Sequence, residues 1–130
     1  MAHLPIEIDA TEAPAFLRWI VRGEWPSIAE MGEVRARLIA SGQLTATTRA
    51  LFDLRNVETV PGYHEVAPMI VAAMKVGGWP RYRGYIVGSA LQFGLVQQMK
   101  ALAPPEIRVD VFFDELEANT WLRSATTSRP

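Results

Sequence analysis

Hydrophobic and polar residues alternate near the start of the chain with the two-residue period of β-strands. Leu4, Ile6 and Ile8 are separated by Pro5 and a glutamate, and the run 16–21 repeats the same alternation. A turn-rich stretch separates the two segments. The pattern therefore predicts two strands joined as an antiparallel hairpin.

A helix is predicted to follow the hairpin, because the pattern changes there to the spacing of one helical face. Ser27 and Glu30 form a Ser-x-x-Glu capping box, in which each side chain satisfies a backbone N–H at the helix start. Gly42 is a plausible left-handed stop. The apolar positions of this helix are Ile28, Met31, Val34 and Leu38. This face is expected to cover a sheet.

Strands and helices then alternate to the end of the chain. The predicted segments are a strand at 49–54, a helix from 64–67 to 76, a strand at 83–88, a helix at 90–103 capped by Ser89, a strand at 107–113 and a last helix after Asp114. Such alternation requires crossovers and favours parallel strands. The predicted fold class is α/β, a mainly parallel sheet with an N-terminal hairpin and four helices (ββαβαβαβα). One domain is expected over 1–130, with its core at about 4–125.

The last two helices are also expected to bury apolar stripes against the sheet. In the third helix the stripe comprises Leu91, Leu95, Met99 and Leu102. In the last helix it comprises Leu116, Trp121 and Leu122.

Composition removes several classes of function. The 130 residues are 49% hydrophobic, carry a net charge of -1 and include no Cys, which excludes disulfides, thiol chemistry and cysteine-bound zinc. No basic footprint for nucleic acid is present, and no glycine-rich phosphate motif indicates a cofactor.

No apolar run approaches the ~20 residues of a membrane span, so no stable membrane anchor and a cytoplasmic location are expected. Arg35 and Arg37 share a helix with acidic residues, so no basic patch is predicted.

Several segments together resemble a known family. They are Ala-Leu-Phe-Asp-Leu-Arg-Asn-Val at 50–57, Val-Gly-Ser at 87–89 and Val-Phe-Phe-Asp-Glu at 111–115, with Ala118 and Trp121-Leu122. With them, the chain resembles the SpoIIAA-like or STAS-like family over roughly residues 4–125. The resemblance implies a small regulatory domain of the anti-sigma-factor-antagonist type, related in fold to the lipid-binding CRAL-TRIO domains.

One departure from that family concerns its phosphorylation switch. In anti-sigma antagonists an Asp-Ser pair precedes the second helix, and its Ser is phosphorylated to control partner binding. Pro61, Gly62 and Tyr63 occupy the corresponding positions here, and Thr59 lies two residues too early. The phosphorylation switch is therefore not expected in this chain.

Polar residues are predicted at the carboxyl ends of the parallel strands, where ligands bind in open α/β sheets. The candidate ligand or anion site comprises Asp53, Arg55, Asn56, His64, Gly88 and Ser89. Each also has a simpler structural interpretation. Asp53 needs a partner because it lies in an apolar strand, and capping the following loop or pairing with an Arg would supply one. Ser89 could act only as a helix cap.

The second helix is unusually apolar, since Lys75 is the only charged residue in 66–76. Extended apolar surfaces usually mark association. The candidate interaction surface comprises Val57, Tyr63, Val66, Met69, Ile70, Met74 and Trp79. The alternative is an internal helix covered by its own chain. Trp25 and Trp79, each beside a proline, could likewise plug the core or contact a partner.

Three functional hypotheses follow. The first is a non-enzymatic regulatory domain that binds a protein partner or itself, as a homodimer. The second is a carrier of a small apolar or lipid-like ligand, held between the second and third helices and the sheet. Met69, Met74 and Met99 would give such a pocket an adaptable lining. The third is an enzyme that uses Asp53, His64 and Ser89.

Overall fold

The computed structural model of the chain describes residues 6–74 and 80–124. Leu4 and Trp79, to which the sequence analysis assigned roles, lie outside these ranges. The side chains of Tyr63, Ile70 and Met74 also lie outside the described part of the chain.

Strands and helices alternate in the predicted order. The strands are β1 (Ile6–Asp9), β2 (Phe16–Gly23), β3 (Arg49–Val57), β4 (Tyr82–Ile86) and β5 (Arg108–Phe112). The helices are α1 (Ile28–Ala40), α2 (Tyr63–Met74), α3 (Ala90–Leu102) and α4 (Glu115–Ser124). The α/β class, with its mainly parallel sheet, is confirmed.

The five strands of the sheet lie side by side in chain order. β1 runs antiparallel to β2, and the other neighbouring pairs are parallel. Parallel crossovers are right-handed, so successive crossovers in one direction place their helices on one face. Accordingly α1, α2 and α3 share one face, which we call the three-helix face. α4 follows the last strand and covers the opposite face, the α4 face.

Apolar side chains of β3 alternate between the two faces. Phe52 and Leu54 are buried under the three helices, together with Leu38, Val66 and Leu95. Leu51 points the other way and packs with residues of α4, among them Ala118 and Leu122. Burial on both faces explains why this strand reads as a continuous apolar run.

The start and end of α1 agree with the sequence. The Ser27 hydroxyl accepts a hydrogen bond from the Glu30 amide at 3.1 Å, and the Glu30 carboxylate accepts one from the Ser27 amide at 2.8 Å. Gly42 has a φ of 81°, a left-handed conformation that suits glycine. The capping box and the stop are therefore confirmed.

Four residues of the expected buried stripes are exposed instead. Ile28 is 44% exposed, Leu91 69%, Leu102 47% and Leu116 71%. The first, second and fourth of these lie in the first turn of their helices and Leu102 in the last turn of α3, whereas Leu95, Met99 and Leu122 are buried. Helical periodicity identifies a face, but the terminal turns can extend past the sheet that covers the middle of that face.

An aromatic ladder crosses the centre of the sheet on the three-helix face. Trp19, Phe52 and Tyr85 occupy matching register positions on β2, β3 and β4. Their rings stack with centroid separations of 4.8 Å and 4.7 Å. Stacked pairs contribute beyond their buried area, so Phe52 stabilises the alignment of three strands.

Replacing Phe52 with Leu should lower the free energy of unfolding by about 1–3 kcal/mol, because two stacked pairs are lost and the volume is imperfectly refilled. The same change at Phe113, which is 58% exposed and stacks on Phe93, should cost less than about 1 kcal/mol. Urea denaturation of both variants measures the difference. Equal losses would show that the ladder contributes nothing specific.

Candidate functional site

Asp53 is the buried carboxylate of the central strand, and it lies on the α4 face. Its chain neighbours Phe52 and Leu54 point into the three-helix core, so strand alternation directs Asp53 to the other side. The residue is 4% exposed. A carboxylate buried to this extent requires partners to remain ionised.

Two arginines and one further carboxylate surround Asp53. Arg55 donates from Nε to Oδ1 at 3.0 Å and from Nη2 to Oδ2 at 2.8 Å. Arg18 donates from Nη2 to Oδ2 at 3.0 Å. Glu115 accepts from Arg18 Nη1 at 2.7 Å and from Arg55 Nη2 at 2.9 Å. We call these four residues the ion cluster.

The ion cluster keeps both carboxylates charged. Burial raises the pKa of Asp53, but the hydrogen bonds from Arg55 and then Arg18 outweigh it, so the pKa lies below its ordinary value. The bond from Arg18 is the main cause that lowers the pKa of Glu115. Two positive and two negative charges satisfy one another and connect β2, β3 and α4. The pairing of Asp53 with arginine is therefore structural.

Sequence reasoning missed Arg18 and Glu115, although signals for both exist. Arg18 alternates with Leu17 and Trp19 along a strand, which places it on the α4 face. Glu115 follows Asp114 in the first turn of the helix that covers this face. Together the two positions could have identified the partners of Asp53.

The groups at the start of α3 are also occupied within the chain. The Ser89 hydroxyl accepts from the Gln92 amide at 3.1 Å, as a helix cap. The Gly88 amide donates to Gln92 Oε1 at 2.8 Å, and Gln92 Nε2 donates to the Val57 carbonyl at 3.0 Å. Gly88 lies against Arg55, since a Cβ added there would be 3.6 Å from its Cγ. The carboxyl ends of β3 and β4 therefore lie close together. The Gly88 and Gln92 amides already donate hydrogen bonds within the chain.

The remaining candidates at this edge are spread apart. Asn56 and His64 are exposed. His64 lines a groove beside α2 whose lining includes neither Asp53 nor Ser89. Asp53 accepts its side-chain hydrogen bonds from Arg55 and Arg18. These contacts lie on the opposite face of the sheet from α2.

A cavity lies on the three-helix face, above the aromatic ladder. Phe52, Leu54 and Tyr85 form its floor, and its walls come from Met31 of α1, Met69 of α2 and Met99 of α3. It has a volume of about 60 Å³, enough for a few water-sized groups. The sequence predicted a pocket between the second and third helices, and the first helix supplies a third wall.

Two arginines, Arg35 and Arg83, are among the residues that line this cavity. Arg35 is 8% exposed and Arg83 5%. The Arg35 Nε is buried with no hydrogen-bond partner, whereas Arg83 Nε donates to the Pro80 carbonyl at 2.7 Å. Burial, together with the charge of Arg83, lowers the pKa of Arg35 to about 10. Arg35 therefore stays positively charged at neutral pH.

The sequence analysis considered Arg35 only as part of a basic patch and did not identify it as a buried residue. Arg35 lies four residues after Met31 and three before Leu38, so helical spacing places it on the buried face. That spacing was the available signal. Arg37, on the same helix, is exposed.

The cavity adjoins an open groove of about 880 Å³ between α2 and the loops that precede α1 and α2. Trp25, Pro26, Ile28 and Met69 line both spaces. The Trp25 amide donates to the Thr59 hydroxyl at 3.2 Å, which links the two loops. Cavity and groove are thus adjacent spaces that share these four lining residues.

Two residues of the candidate interaction surface are not on the surface. Val57 is 7% exposed and Val66 1%, and both belong to the three-helix core. Their apolar character serves packing within the chain. Met69 is half-buried and lines the cavity. The interpretation of α2 as a helix covered by its own chain is thus correct for part of its face.

Two features are absent from the residues that the structure describes. Across 6–74 and 80–124, no group of three His, Asp or Glu side chains is arranged to hold a metal ion. In the same part of the chain, no helix is long and apolar enough to cross a bilayer.

Comparison with known proteins agrees with the architecture. The chain is similar to the crystal structure of an uncharacterised protein of the DUF3478 family with a SpoIIAA-like fold, from Shewanella loihica PV-4. The TM-score is 0.63 at 20% identity, over 94% of this chain and 98% of that one. No protein-family profile and no curated protein matches the chain. The chain therefore has the SpoIIAA-like fold that the sequence resemblance implied.

Replacing Asp53 with Asn should destabilise the protein by about 2 kcal/mol at pH 7, because charge-assisted hydrogen bonds to two arginines are lost. The pKa of Asp53 is lowered by folding, so its contribution is complete at neutral pH. It disappears as the pH falls through the folded-state pKa. The difference between wild type and variant should therefore shrink in acid, as measured by urea denaturation at several pH values.

A matched control is Glu7→Gln, which removes the exposed ion pair with Arg22. Its effect should stay below about 1 kcal/mol at every pH. A loss at Asp53 that matches this control, or that persists unchanged in acid, would contradict the structural role of the ion cluster.

Proposed function

We propose that this chain is a non-enzymatic binding domain for a small, largely apolar ligand, held in the cavity on the three-helix face. The observation that carries the proposal is the apolar cavity that adjoins an open groove. Concave, mostly apolar spaces with a few polar groups are typical of ligand sites. Of the three hypotheses from the sequence, the carrier fits this geometry best.

The lining supports an adaptable site. Met31, Met69 and Met99 approach from three different helices, and methionine side chains change shape at low cost. Phe52 and Tyr85 offer flat ring faces below them. Such a lining can accept an aliphatic or an aromatic body without strict shape complementarity.

The size of the cavity restricts the ligand. Pockets that enclose drug-sized ligands have volumes of roughly 300–1,000 Å³, and the cavity holds about 60 Å³. Only one end of a ligand fits inside. The rest would lie in the groove against Trp25 and Met69, which line both spaces.

Filling the cavity should abolish binding of a neutral apolar probe. We expect 1-octanol to bind wild type and to lose about tenfold or more in affinity to Met31→Trp, because the larger ring occupies the space. Glu33→Trp is the matched control, since Glu33 is exposed on the same helix. Titration followed by NMR measures the affinities. Equal binding to both variants would place the probe elsewhere.

A second candidate function, self-association, is favoured by the outer side of α2. Ala67, Pro68 and Val71 are exposed there, and Val71 is 58% exposed. Glu65 is the only Asp, Glu, Lys or Arg residue in the α2 sequence. Exposed apolar patches of this kind mark association. We propose that a homodimer would form through these residues, and the same face could accept a protein partner.

Val71→Glu should convert such a dimer to a monomer, because a carboxylate would be buried without a partner. Leu91→Glu is the matched control on α3, where Leu91 is 69% exposed. Light scattering coupled to size exclusion measures the mass. A monomeric wild type, or dissociation by the control alone, would contradict association through α2.

A further inference from the structure

Two buried arginines, Arg35 and Arg83, line the cavity on the three-helix face. The ionisable side chains close enough to shift the pKa of Arg35 are those of Arg83 and Tyr85. Burial raises the pKa of the Tyr85 hydroxyl, so it is neutral at physiological pH. Neither neighbour supplies a negative charge to the guanidinium.

Arg35 differs sharply from the arginines of the ion cluster. Arg18 and Arg55 each bind two carboxylates. By contrast, Arg35 makes no hydrogen bond or ion pair to the residues that the structure describes, and its Nε is buried without a partner. A buried charge is costly unless it is paired. The chain holds this unpaired charge at the wall of a cavity.

We infer that the cavity receives the carboxylate of a small amphipathic monocarboxylic acid, which pairs with Arg35 while its apolar body lies in the groove. This inference rests on the proposed function and specifies its ligand class. A planar carboxylate matches the paired N–H groups of a guanidinium. It also fits a space of about 60 Å³ that could not hold the whole ligand.

The charges of the groove fix the direction of the ligand. Glu24, Glu30 and Glu65 lie along the groove, with Arg22 and His64. Glu30 and Glu65 are already bonded to backbone amides of Ser27 and Gly62. Because the rim is acidic and the inner end is positive, the acid group belongs inside. A second acid at the far end of the ligand would be disfavoured.

The test compares octanoate with 1-octanol, which have equal chain length and differ in charge. Isothermal titration is performed on wild type, Arg35→Leu and Arg37→Leu, where Arg37 is the exposed arginine of the same helix. We expect wild type and Arg37→Leu to prefer octanoate. Arg35→Leu should lose about tenfold or more in octanoate affinity and keep its affinity for octanol.

The outcomes separate this inference from the proposed function. If wild type binds both probes with no preference for octanoate, the proposed pairing of a carboxylate with Arg35 is wrong. The proposed apolar binding site is still supported in that case. If neither probe binds wild type, both proposals fail. Equal octanoate affinity of Arg35→Leu and Arg37→Leu would also overturn the role of Arg35.

Folding of the variant gives an independent readout. Removal of an unpaired buried charge should leave the free protein at least as stable, so thermal unfolding of Arg35→Leu should occur at or above the temperature for Arg37→Leu. A marked decrease would assign Arg35 a structural role and contradict the inference. Added octanoate should raise the unfolding temperature of Arg37→Leu and not that of Arg35→Leu.

Discussion

The order of the strands constrains everything else in this structure. Because β2 to β5 lie side by side in chain order and their crossovers share one hand, α1, α2 and α3 all pack on the same face. The three helices meet above Phe52 and Tyr85, and the cavity lies where their methionines face the sheet. α4 covers the other face, and the ion cluster at the start of that helix connects it to the central strands.

The ion cluster and Arg35 of the cavity differ in how their charges are paired. In the ion cluster, Asp53 and Glu115 satisfy Arg18 and Arg55, and the pKa of each carboxyl is lowered. Such a network stabilises the fold because every charge in it is paired. Few of its hydrogen-bonding groups are left to bind a ligand. In the cavity, the Arg35 guanidinium is buried and its Nε has no partner. A buried charge without a counter-charge lowers the stability of the free protein. A ligand that supplies the counter-charge recovers that free energy on binding.

Much of the fold could be predicted from the sequence because its signals are local. The Ser27–Glu30 capping box, the left-handed Gly42 and the uninterrupted apolar run of β3 each depend on a few adjacent residues. The exposure of some helix residues and the partners of Asp53 could not be predicted. These features depend on where each helix or strand ends and on which distant segments pack against it. Leu91 and Leu116 obey helical periodicity, yet they lie in terminal turns. For the candidate site, Asp53 was found, but Arg18 and Glu115 come from distant parts of the chain. Arg35 was not identified as a cavity residue, although its spacing from Met31 and Leu38 places it on the buried face of α1.

The central claim is that Arg35 binds a carboxylate inside the cavity, and a crystal structure with 4-iodobenzoate tests it most directly. The account predicts an anomalous iodine peak in the groove near Trp25 and Met69, with the carboxylate about 3 Å from the Arg35 guanidinium. Iodine in the cavity with the carboxylate in solvent, or a ligand bound only elsewhere, would contradict it.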